Sequence, residues 1–532
     1  MPIQSPPREP TMRLKITNGC ILDGTGADGF CADLLIEHDL ITAVEADSPL
    51  PADEVLDAQG YYVCPGFIDV HTHSDAYILI EPDAPSKLHQ GVTTEIVGNC
   101  GASCAPLYGA SRMPSDWTVH TYPGSWQTVA EYRALLQQVN PGLNIVFLVG
   151  HNTLRAGVMG YEPRGATIDE VRLMAKRLEQ AIAEGASGLS TGLVYNPGRF
   201  AASQEVEQLV KVVAERQGIY TSHMRSESSK LLEAIDETLA YGKASGARIL
   251  ISHLKAYGQP NWHLLEPALE RIQNAQQSGL EVCADRYPYT ASCTDLDIIF
   301  PDWAVAGGPD VMLERLRTPA ESKRLTEELK QKPETYWTYI TIGSTVHPEN
   351  KPYAGTPLVE VAKDLGLHPA EAALQIAERD DLRTAAFFHG MDPGNMQRVL
   401  AQPYVMIGSD ASLRAPTGPL SHDWPHPRAY GSFPRFLRMA LDGQTVALPE
   451  AIRKMTSLPA DTFRLDKRGR IRAGNIADIV VFNPDTIRDQ SAFDRPHALA
   501  TGIEHVIVNG TLTLRNGHRT NQRNGQFLQS KP

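Results

Sequence analysis

Two histidines separated by one residue follow an apolar run near the start of the chain. His71 and His73 come after the run FIDV, residues 67–70, and side chains two positions apart on a strand point to the same face. Imidazoles placed in this way are common zinc ligands. By itself the pair is a weak signal, because such histidines are more often polar residues satisfied by hydrogen bonds.

Four more residues that can bind zinc end apolar runs of the same kind, namely Cys100, His223, His253 and Asp410. Imidazole, thiolate and carboxylate together form the zinc ligand set. In a parallel barrel the carboxyl ends of the strands meet at one mouth, where active sites of that fold lie. The six residues therefore predict a site for one or two zinc ions. For Cys100 alone, the alternative is a small buried apolar side chain.

Eight strand-like runs position these residues, at 67–73, 94–100, 145–152, 188–193, 219–223, 249–253, 282–289 and 405–410. Many are followed by a helical pattern, such as 167–184, which has Asp169 and Glu170 in its first turn and Gly185 at its end. This alternation predicts an α/β protein with a (β/α)₈ TIM-type barrel. Two extra runs, 339–342 and 385–388, are assigned to an elaborated connection between the seventh and eighth strands.

Both ends of the chain have short alternating stretches and turn signals that are typical of β structure. Neither end has enough strands for a stable sandwich, so we predict one small β-sandwich domain built from both. The predicted boundaries are a disordered lead at 1–12, sandwich at 13–65, barrel at 66–460 with an inserted segment at about 290–350, sandwich again at 461–515, and a tail at 516–532.

The composition is that of a folded globular protein. Of 532 residues, 42% are hydrophobic and 21% charged, which excludes disorder as the main state. A formal charge of −13 argues against nucleic acid or an anionic membrane as a partner. Seven cysteines and the lack of a signal-peptide pattern favour the cytoplasm, where a special cysteine binds metal or does chemistry.

Several motifs resemble the D-aminoacylase (N-acyl-D-amino-acid deacylase) family of the amidohydrolase superfamily. They are PGFIDVHTH at 65–73, GNCG at 98–101, GASGLSTGL at 185–193, HMR at 223–225, SHLK at 252–255 and GSD at 408–410. The likeness spans about residues 13–510. It implies hydrolysis of the amide bond of N-acyl-D-amino acids. Many superfamily members carry a carboxylated lysine on the fourth strand; here that strand, 189–192, reads LSTG, and Cys100 is the expected substitute.

The resemblance also implies a division of labour among the site residues. The tightly bound zinc would be held by Cys100, His223 and His253, and a second, weaker metal position would be bordered by His71, His73 and Asp410. Water bound to zinc is acidified toward neutrality. Asp410 is then expected to take its proton and deliver it to the leaving amine. Tyr195 is expected to help polarise the scissile carbonyl.

In the family, residues at the positions of Lys255, Tyr287 and Arg428 clamp the substrate carboxylate, so the same role is predicted here. For Lys255 and Arg428, the alternative is solvated surface charge. One departure concerns residues 287–293, YPYTASC, where the family usually reads YPYxAGS. Cys293 replaces a serine expected to contact the substrate, and it is a weaker hydrogen-bond partner. Ser292 is an alternative for that contact.

The loop beyond this motif predicts the preferred substrate side chain. It has no Lys or Arg between Arg286 and Arg315, whereas a desolvated second carboxylate on the substrate would need such a partner. Apolar residues that could form a pocket are Ile298, Ile299, Phe300 and Trp303, while Asp295 and Asp297 would repel an anion. A neutral, hydrophobic side chain is therefore expected. Alternatively, the apolar residues only anchor the loop.

Other functions remain open at this point. A dipeptidase acting on a C-terminal D-residue would share the carboxylate clamp, and a cyclic amidohydrolase of the hydantoinase or dihydroorotase kind would share the barrel. Hydantoinases depend on the carboxylated lysine that is missing here. A catalytically inactive scaffold would have lost ligands that this chain retains. The expected partner is a small-molecule substrate, without nucleic acid or membrane, and the oligomeric state is not predicted.

Overall fold

Each of the eight apolar runs becomes a parallel strand of one barrel in the computed structural model, which describes residues 13–46, 48 and 50–530. The barrel strands are Phe67–Asp69, Val92–Val97, Asn144–Gly150, Gly188–Gly192, Ile219–His223, Arg248–Ile251, Val282–Arg286 and Val405–Ile407. Neighbours in the chain are neighbours in the sheet, with the eighth strand beside the seventh. The predicted α/β barrel is confirmed.

The helices of the barrel pack around these strands through one apolar face. They are Pro85–Leu88, Val129–Val139, His151–Met159, Ile168–Ala183, Ser203–Glu215, Leu231–Ser245, Leu265–Gln277, Pro393–Ala401, Arg428–Leu441, Leu448–Met455 and Ser457–Thr462. In Ile168–Ala183, Met174, Leu178 and Ala181 are buried, and Thr167 caps the first turn. The helix predicted from 167 to 184 is confirmed.

Side chains fill the interior of the barrel below its mouth. Alternate strand residues such as Ile68, Ile96, Val146 and Leu250 share a buried cluster with Phe463, which follows the last barrel helix. The barrel is therefore a packed core, and only its carboxyl end is available for a site. Within the described residues, no helix combines the length and apolar character needed to cross a bilayer.

Strands from both chain ends form two sheets beside the barrel. One contains Arg13–Thr17, Asp33–Glu37, Leu40–Glu45 and Glu54–Asp57, and the other Cys20–Ile21, Phe30–Cys31, Tyr62–Pro65, Ile479–Phe482, Ile503–Val508, Thr511–Arg515 and His518–Arg519. Tyr62–Pro65 pairs antiparallel with Ile479–Phe482. Apolar residues of both chain ends, among them Leu34 and Ile507, share one core, so neither end is complete without the other.

The predicted lead at 1–12 lies outside the described residues, as do 531 and 532 of the predicted tail. The rest of that tail packs against the protein. Phe527–Leu528 adds a parallel strand to Asn144–Gly150 of the barrel, and the Phe527 ring lies 6.4 Å from that of Phe147.

A large insertion separates the seventh and eighth barrel strands. It contains a three-stranded sheet of Ser292–Asp295, Ile340–Ile342 and Ala385–Phe388, and the helices Asp302–Val305, Pro309–Arg317, Pro319–Leu329, Glu334–Trp337, Leu358–Leu365 and Pro369–Arg379. Its own buried core runs from Leu296 to Phe388, well past residue 350. Short 3₁₀ turns lie at Tyr77–Leu79, Gly198–Phe200, Gln259–Leu264, Leu296–Ile299, Lys351–Tyr353 and Pro419–Ser421.

Candidate metal centre

All six side chains predicted as metal ligands meet at the mouth of the barrel. His71 Nε2 lies 3.1 Å from Cys100 Sγ, and Cys100 Sγ lies 3.5 Å from His253 Nε2. His253 Nε2 is in turn 2.9 Å from His223 Nδ1. One sulfur and three imidazole nitrogens are therefore linked by a series of close contacts, and they are donor types that zinc prefers.

Asp410 joins this group from the eighth strand. Its Oδ1 lies 3.4 Å from His71 Nε2 and 3.2 Å from His73 Nε2. Ligand atoms of His71, Cys100, His253 and Asp410 all lie within 4.8 Å of one another, and the four residues are buried. The residues thus fit one metal ion beside Cys100 and leave room for a second beside Asp410; which ion each residue holds stays a prediction.

Three of these residues have a backbone conformation that is rare outside glycine. The φ angles are +52° at Cys100, +34° at His253 and +52° at Asp410. Each lies in the turn just beyond a barrel strand, after Val97, Ile251 and Ile407 respectively. Such conformations cost roughly 1–3 kcal/mol each and cluster at functional sites.

The charges of Cys100 and Asp410 are stabilised despite burial. Burial raises the pKa of the Cys100 thiol, but the imidazoles of His71, His223 and His253 outweigh it and hold the pKa well below its usual range. Burial likewise raises the pKa of Asp410, but the Arg428 guanidinium and neighbouring imidazoles hold it well below its usual range. Cys100 is therefore a thiolate, the form that binds metal, and Asp410 is a carboxylate.

Two carboxylates that sequence reasoning missed orient the histidines. Asp285 Oδ2 lies 3.1 Å from His71 Nδ1, and Glu227 Oε1 lies 2.7 Å from His253 Nδ1. Such contacts fix the imidazole tautomer and leave the other nitrogen for the metal. A charged residue at the end of an apolar strand was a signal for Asp285. Glu227 is in a loop, where no periodic pattern marks it.

Lys255 contacts Glu227, one of the two carboxylates that orient the histidines. Its Nζ lies 2.5 Å from Glu227 Oε1 and 2.8 Å from His253 Nδ1, and the residue is 6% exposed. The ammonium therefore balances the Glu227 carboxylate behind the metal ligands. Its predicted contact with a substrate carboxylate stays a prediction.

A cavity of about 840 Å³ opens above the ligands. His73, Cys100 and Asp410 line it near the metal ligands. Of the residues predicted to act on the substrate, Tyr195, Cys293 and Arg428 line the cavity. Ser292, Tyr287 and Lys255 are not among the described residues that do so.

Tyr195 presents a neutral phenol to the cavity. Its ring lies 4.8 Å from the ring of His223, and its oxygen accepts a hydrogen bond from Thr294 Oγ1 at 3.2 Å. Burial, and then the negative charge at Cys100, raise the pKa of Tyr195 well above its usual value. The hydroxyl hydrogen is therefore retained and free to donate to an oxygen in the cavity.

Arg428 is the cation nearest to Asp410. Its Nη1 lies 2.7 Å from Asp410 Oδ2, and its Nη2 donates to the carbonyl of Cys293 at 3.3 Å. The guanidinium lies 4.7 Å above the Tyr287 ring. Among the described residues, the buried Tyr287 hydroxyl has no hydrogen-bond partner. Burial raises the pKa of the Cys293 thiol to about 12, so that side chain is neutral.

In the loop expected to form an apolar pocket, some residues line the cavity and others are buried in the core of the insertion. Ile298 lines the cavity, together with Asp295 and Asp297. Ile299 and Phe300 are instead buried in the core of the insertion, so the expectation that they face the substrate is wrong for those two. Trp303 does not line the cavity either; it packs against the core of the insertion, and its ring stacks under Arg324.

Comparison with known proteins gives one consistent family. The sequence pattern of an amidohydrolase family matches residues 54–276 and 383–513. The chain is 34% identical to a D-aminoacylase of Alcaligenes xylosoxydans xylosoxydans, over 97% of each protein.

Solved structures agree. An N-acyl-D-glutamate deacylase from Bordetella bronchiseptica, in complex with zinc and a phosphonate that mimics the tetrahedral intermediate, is 34% identical; the match covers 98% of this chain and 100% of that one, with a TM-score of 0.83. A D-aminoacylase described as having a binuclear metal centre, activated by one metal and attenuated by the second, is 33% identical; the match covers 97% and 99%, with a TM-score of 0.82.

The geometry predicts that removing one thiol empties the tight metal position. Purified protein should carry about one zinc ion per chain, and Cys100→Ala should lose both the zinc and the hydrolytic activity, because Cys100 supplies the only sulfur in the group. Elemental analysis by plasma mass spectrometry measures the metal. Cys104→Ala, a substitution of another buried cysteine, is the matched control and should retain its zinc. Full zinc occupancy in Cys100→Ala would show that the cysteine is not a ligand.

Proposed function

The chain belongs to the D-aminoacylase family of the amidohydrolases and is an enzyme that hydrolyses amide bonds; we propose that it is a zinc-dependent N-acyl-D-amino-acid deacylase. Its products would be a D-amino acid and a carboxylate. The observation that carries this proposal is the position of Arg428, a buried cation in the cavity 2.7 Å from Asp410. A free α-carboxylate beside the scissile amide would bind there.

Zinc, when bound by Cys100, His223 and His253, supplies Lewis acidity that polarises a carbonyl and acidifies a coordinated water. The protein residues supply proton transfer and orientation. Asp410 is ionised, and its Oδ1 faces the histidines, where it can accept a proton from the attacking water. The same oxygen then returns the proton to the nitrogen of the leaving amine, so that the base of the first step is the acid of the second.

The cavity wall orients the substrate for that transfer. Tyr195 donates its hydroxyl hydrogen to the carbonyl oxygen as negative charge develops there. Arg428 binds the α-carboxylate, which takes the place of Asp410 on the guanidinium and leaves Asp410 to act on protons. The ring of Tyr287 lies under the Arg428 guanidinium. Its hydroxyl, which has no partner among the described residues, is the proposed second donor for the carboxylate, although Tyr287 is not among the described residues that line the cavity.

The alternatives are a dipeptidase acting on a C-terminal D-residue and a cyclic amidohydrolase. A D-dipeptide presents the same carboxylate to Arg428, so it belongs in the substrate panel. A cyclic substrate is disfavoured because Ser190 and Thr191 of the fourth strand supply no lysine for carboxylation. An activity screen of N-acetyl-D- and N-acetyl-L-amino acids, D-dipeptides and hydantoins separates these functions.

Removing the proposed base should slow turnover without emptying the tight metal position. Asp410→Asn should lower kcat about a hundredfold or more, because an amide cannot accept the proton, while zinc at Cys100, His223 and His253 is retained. Steady-state kinetics and elemental analysis measure the two effects. Asp310→Asn, which changes an exposed carboxylate at the rim of the cavity, should leave kcat unchanged. Normal turnover in Asp410→Asn would rule out the proton transfer.

Loss of the carboxylate partner should mainly weaken substrate binding. Arg428→Ala should raise KM about tenfold or more and also lower kcat, since the amide is then held less well. Native enzyme should hydrolyse N-acetyl-D-leucinamide much more slowly than N-acetyl-D-leucine. Arg435→Ala, on the same helix but paired with Asp489, is the control. Equal rates on the acid and the amide would mean that the enzyme has no carboxylate clamp.

We propose a neutral, hydrophobic substrate side chain, a proposal that the apolar part of the cavity lining supports. Met113, Ile298 and Leu313 contribute apolar surface, while Asp295 and Asp297 face the cavity from the insertion. Each buried methylene contributes about 0.8 kcal/mol, so kcat/KM should rise from N-acetyl-D-alanine to N-acetyl-D-leucine and be far lower for D-aspartate and D-glutamate derivatives. Asp297→Asn should reduce the discrimination against D-glutamate and leave D-leucine unaffected. A native preference for N-acetyl-D-glutamate would contradict this assignment.

A further inference from the structure

The backbone pairing of the barrel is least regular between its eighth and first strands. These strands lie at the two ends of the sheet order, and among the described residues the Thr72–Ala411 bridge is the backbone pairing between them. The seam carries the catalytic apparatus, since His71 and His73 follow the first strand and Asp410 follows the eighth. Asp410 therefore lies in a segment that has few strand-pairing hydrogen bonds to the first strand.

A backbone hydrogen bond beside this bridge and bonds to side chains hold that segment. The Asp410 backbone N–H donates to the carbonyl of His71 at 2.8 Å. The N–H of Ser409 donates to Asp69 Oδ1, also at 2.8 Å, and the N–H of Leu413 donates to Ser74 Oγ at 2.9 Å. The backbone around Asp410 thus depends on side chains from the first strand and the turn after it.

Lys87 ties these side chains together. Its Nζ lies 2.9 Å from Asp69 Oδ2 and 2.9 Å from Glu95 Oε1, 3.0 Å from Ser409 Oγ and 3.3 Å from the carbonyl of Ala411. The ammonium therefore contacts the residues on both sides of Asp410, as well as carboxylates fixed to the first and second strands.

The cluster is fully enclosed. Lys87, Asp69, Glu95 and Ser409 are each 0% exposed. Burial lowers the pKa of the Lys87 ammonium, but the two carboxylates outweigh burial and raise it, so the charge is retained. In such surroundings an ion pair interacts strongly and has no water to replace a lost partner. Among the described residues, Lys87 Nζ contacts no side chain of a predicted metal ligand, whereas Asp69 and Ser409 contact the backbone of His71.

We propose that Lys87 is a positioning residue, which closes the seam of the barrel and holds Asp410 in register with His71 and His73 for proton transfer and for the second metal position. It acts through Ser409 and Ala411 and does not touch the substrate. The kinetic part of this inference rests on the proposed function. The metal-binding part does not depend on the identity of the substrate.

The test compares two substitutions on the network with one matched buried cation elsewhere. Lys87→Met removes the ammonium. Ser409→Ala removes the hydroxyl that accepts from Lys87 Nζ and also donates to the His71 carbonyl at 3.4 Å. The control is Arg468→Met, since Arg468 is 8% exposed and pairs with the buried Asp478. Asp478 also contacts Asn144 at the start of the third strand, the end of the barrel opposite the mouth.

Three quantities are measured on the zinc-loaded protein: kcat and KM for N-acetyl-D-leucine, the zinc content of the tight position, and the affinity for added Co²⁺ at the second position, followed by its visible absorption. Lys87→Met should lower kcat about tenfold or more with little change in KM, and weaken Co²⁺ binding by about tenfold. Ser409→Ala should give smaller changes of the same kind. Both should retain the tight zinc.

A variant that only loses stability should give a different result. Arg468→Met should lower the melting temperature while leaving kcat and Co²⁺ affinity unchanged. The proposal is overturned if folded Lys87→Met keeps both kcat and Co²⁺ affinity within twofold of the native values, or if Arg468→Met changes them equally. Where Lys87→Met does not fold, Ser409→Ala decides by the same criteria. If native enzyme hydrolyses none of the N-acyl-D-amino acids, the proposed function fails and Co²⁺ affinity alone decides the role of Lys87.

Discussion

Negative charge buried at the mouth of the barrel is the constraint on which the site depends. A thiolate at Cys100 and carboxylates at Asp410, Asp285 and Glu227 lie together with little water, where unpaired charges would be costly. The structure supplies partners from separate strands: imidazoles around Cys100, Arg428 beside Asp410, and Lys255 beside Glu227. The imidazoles are also the predicted metal ligands, and Arg428 is the proposed partner of the substrate carboxylate, so we propose that groups which stabilise these charges also take part in the chemistry.

The imidazoles are oriented by carboxylates that contact them from behind. Asp285 and Glu227 each occupy the nitrogen that the metal does not need, and Lys255 restrains Glu227 in turn. A ligand that is already oriented loses less entropy when the metal binds. The left-handed backbone at Cys100, His253 and Asp410 belongs to the same pattern, because strain at these turns is stored where it directs a functional side chain.

The insertion contributes part of the cavity wall to a site that the barrel builds. Its own core, from Leu296 to Phe388, lets it fold against the mouth as a separate layer. It contributes Cys293, Asp295, Asp297 and Ile298 to the cavity. Changes in this layer can alter the side-chain pocket without disturbing the ligands on the strands, in keeping with the division between scaffold and loops in this fold.

The sequence by itself determined the barrel and its eight strands, and it predicted six candidate metal ligands. This was possible because the ligands end apolar runs, and parallel strands that close into a barrel bring all such ends to one mouth. The sandwich shared by the two chain ends followed from the same local patterns. Resemblance added Arg428 and Tyr195, which the structure places on the cavity wall.

Only the tertiary structure revealed the contacts that orient and charge the site. Glu227 meets His253 across 26 residues, Asp285 meets His71 across 214, and Lys87 meets Ser409 across 322. Local periodicity shows which face of an element is buried, but not which charged side chain from a distant strand lies opposite. The same limit explains Ile299 and Phe300, whose apolar character indicated burial without deciding between the cavity and the core of the insertion.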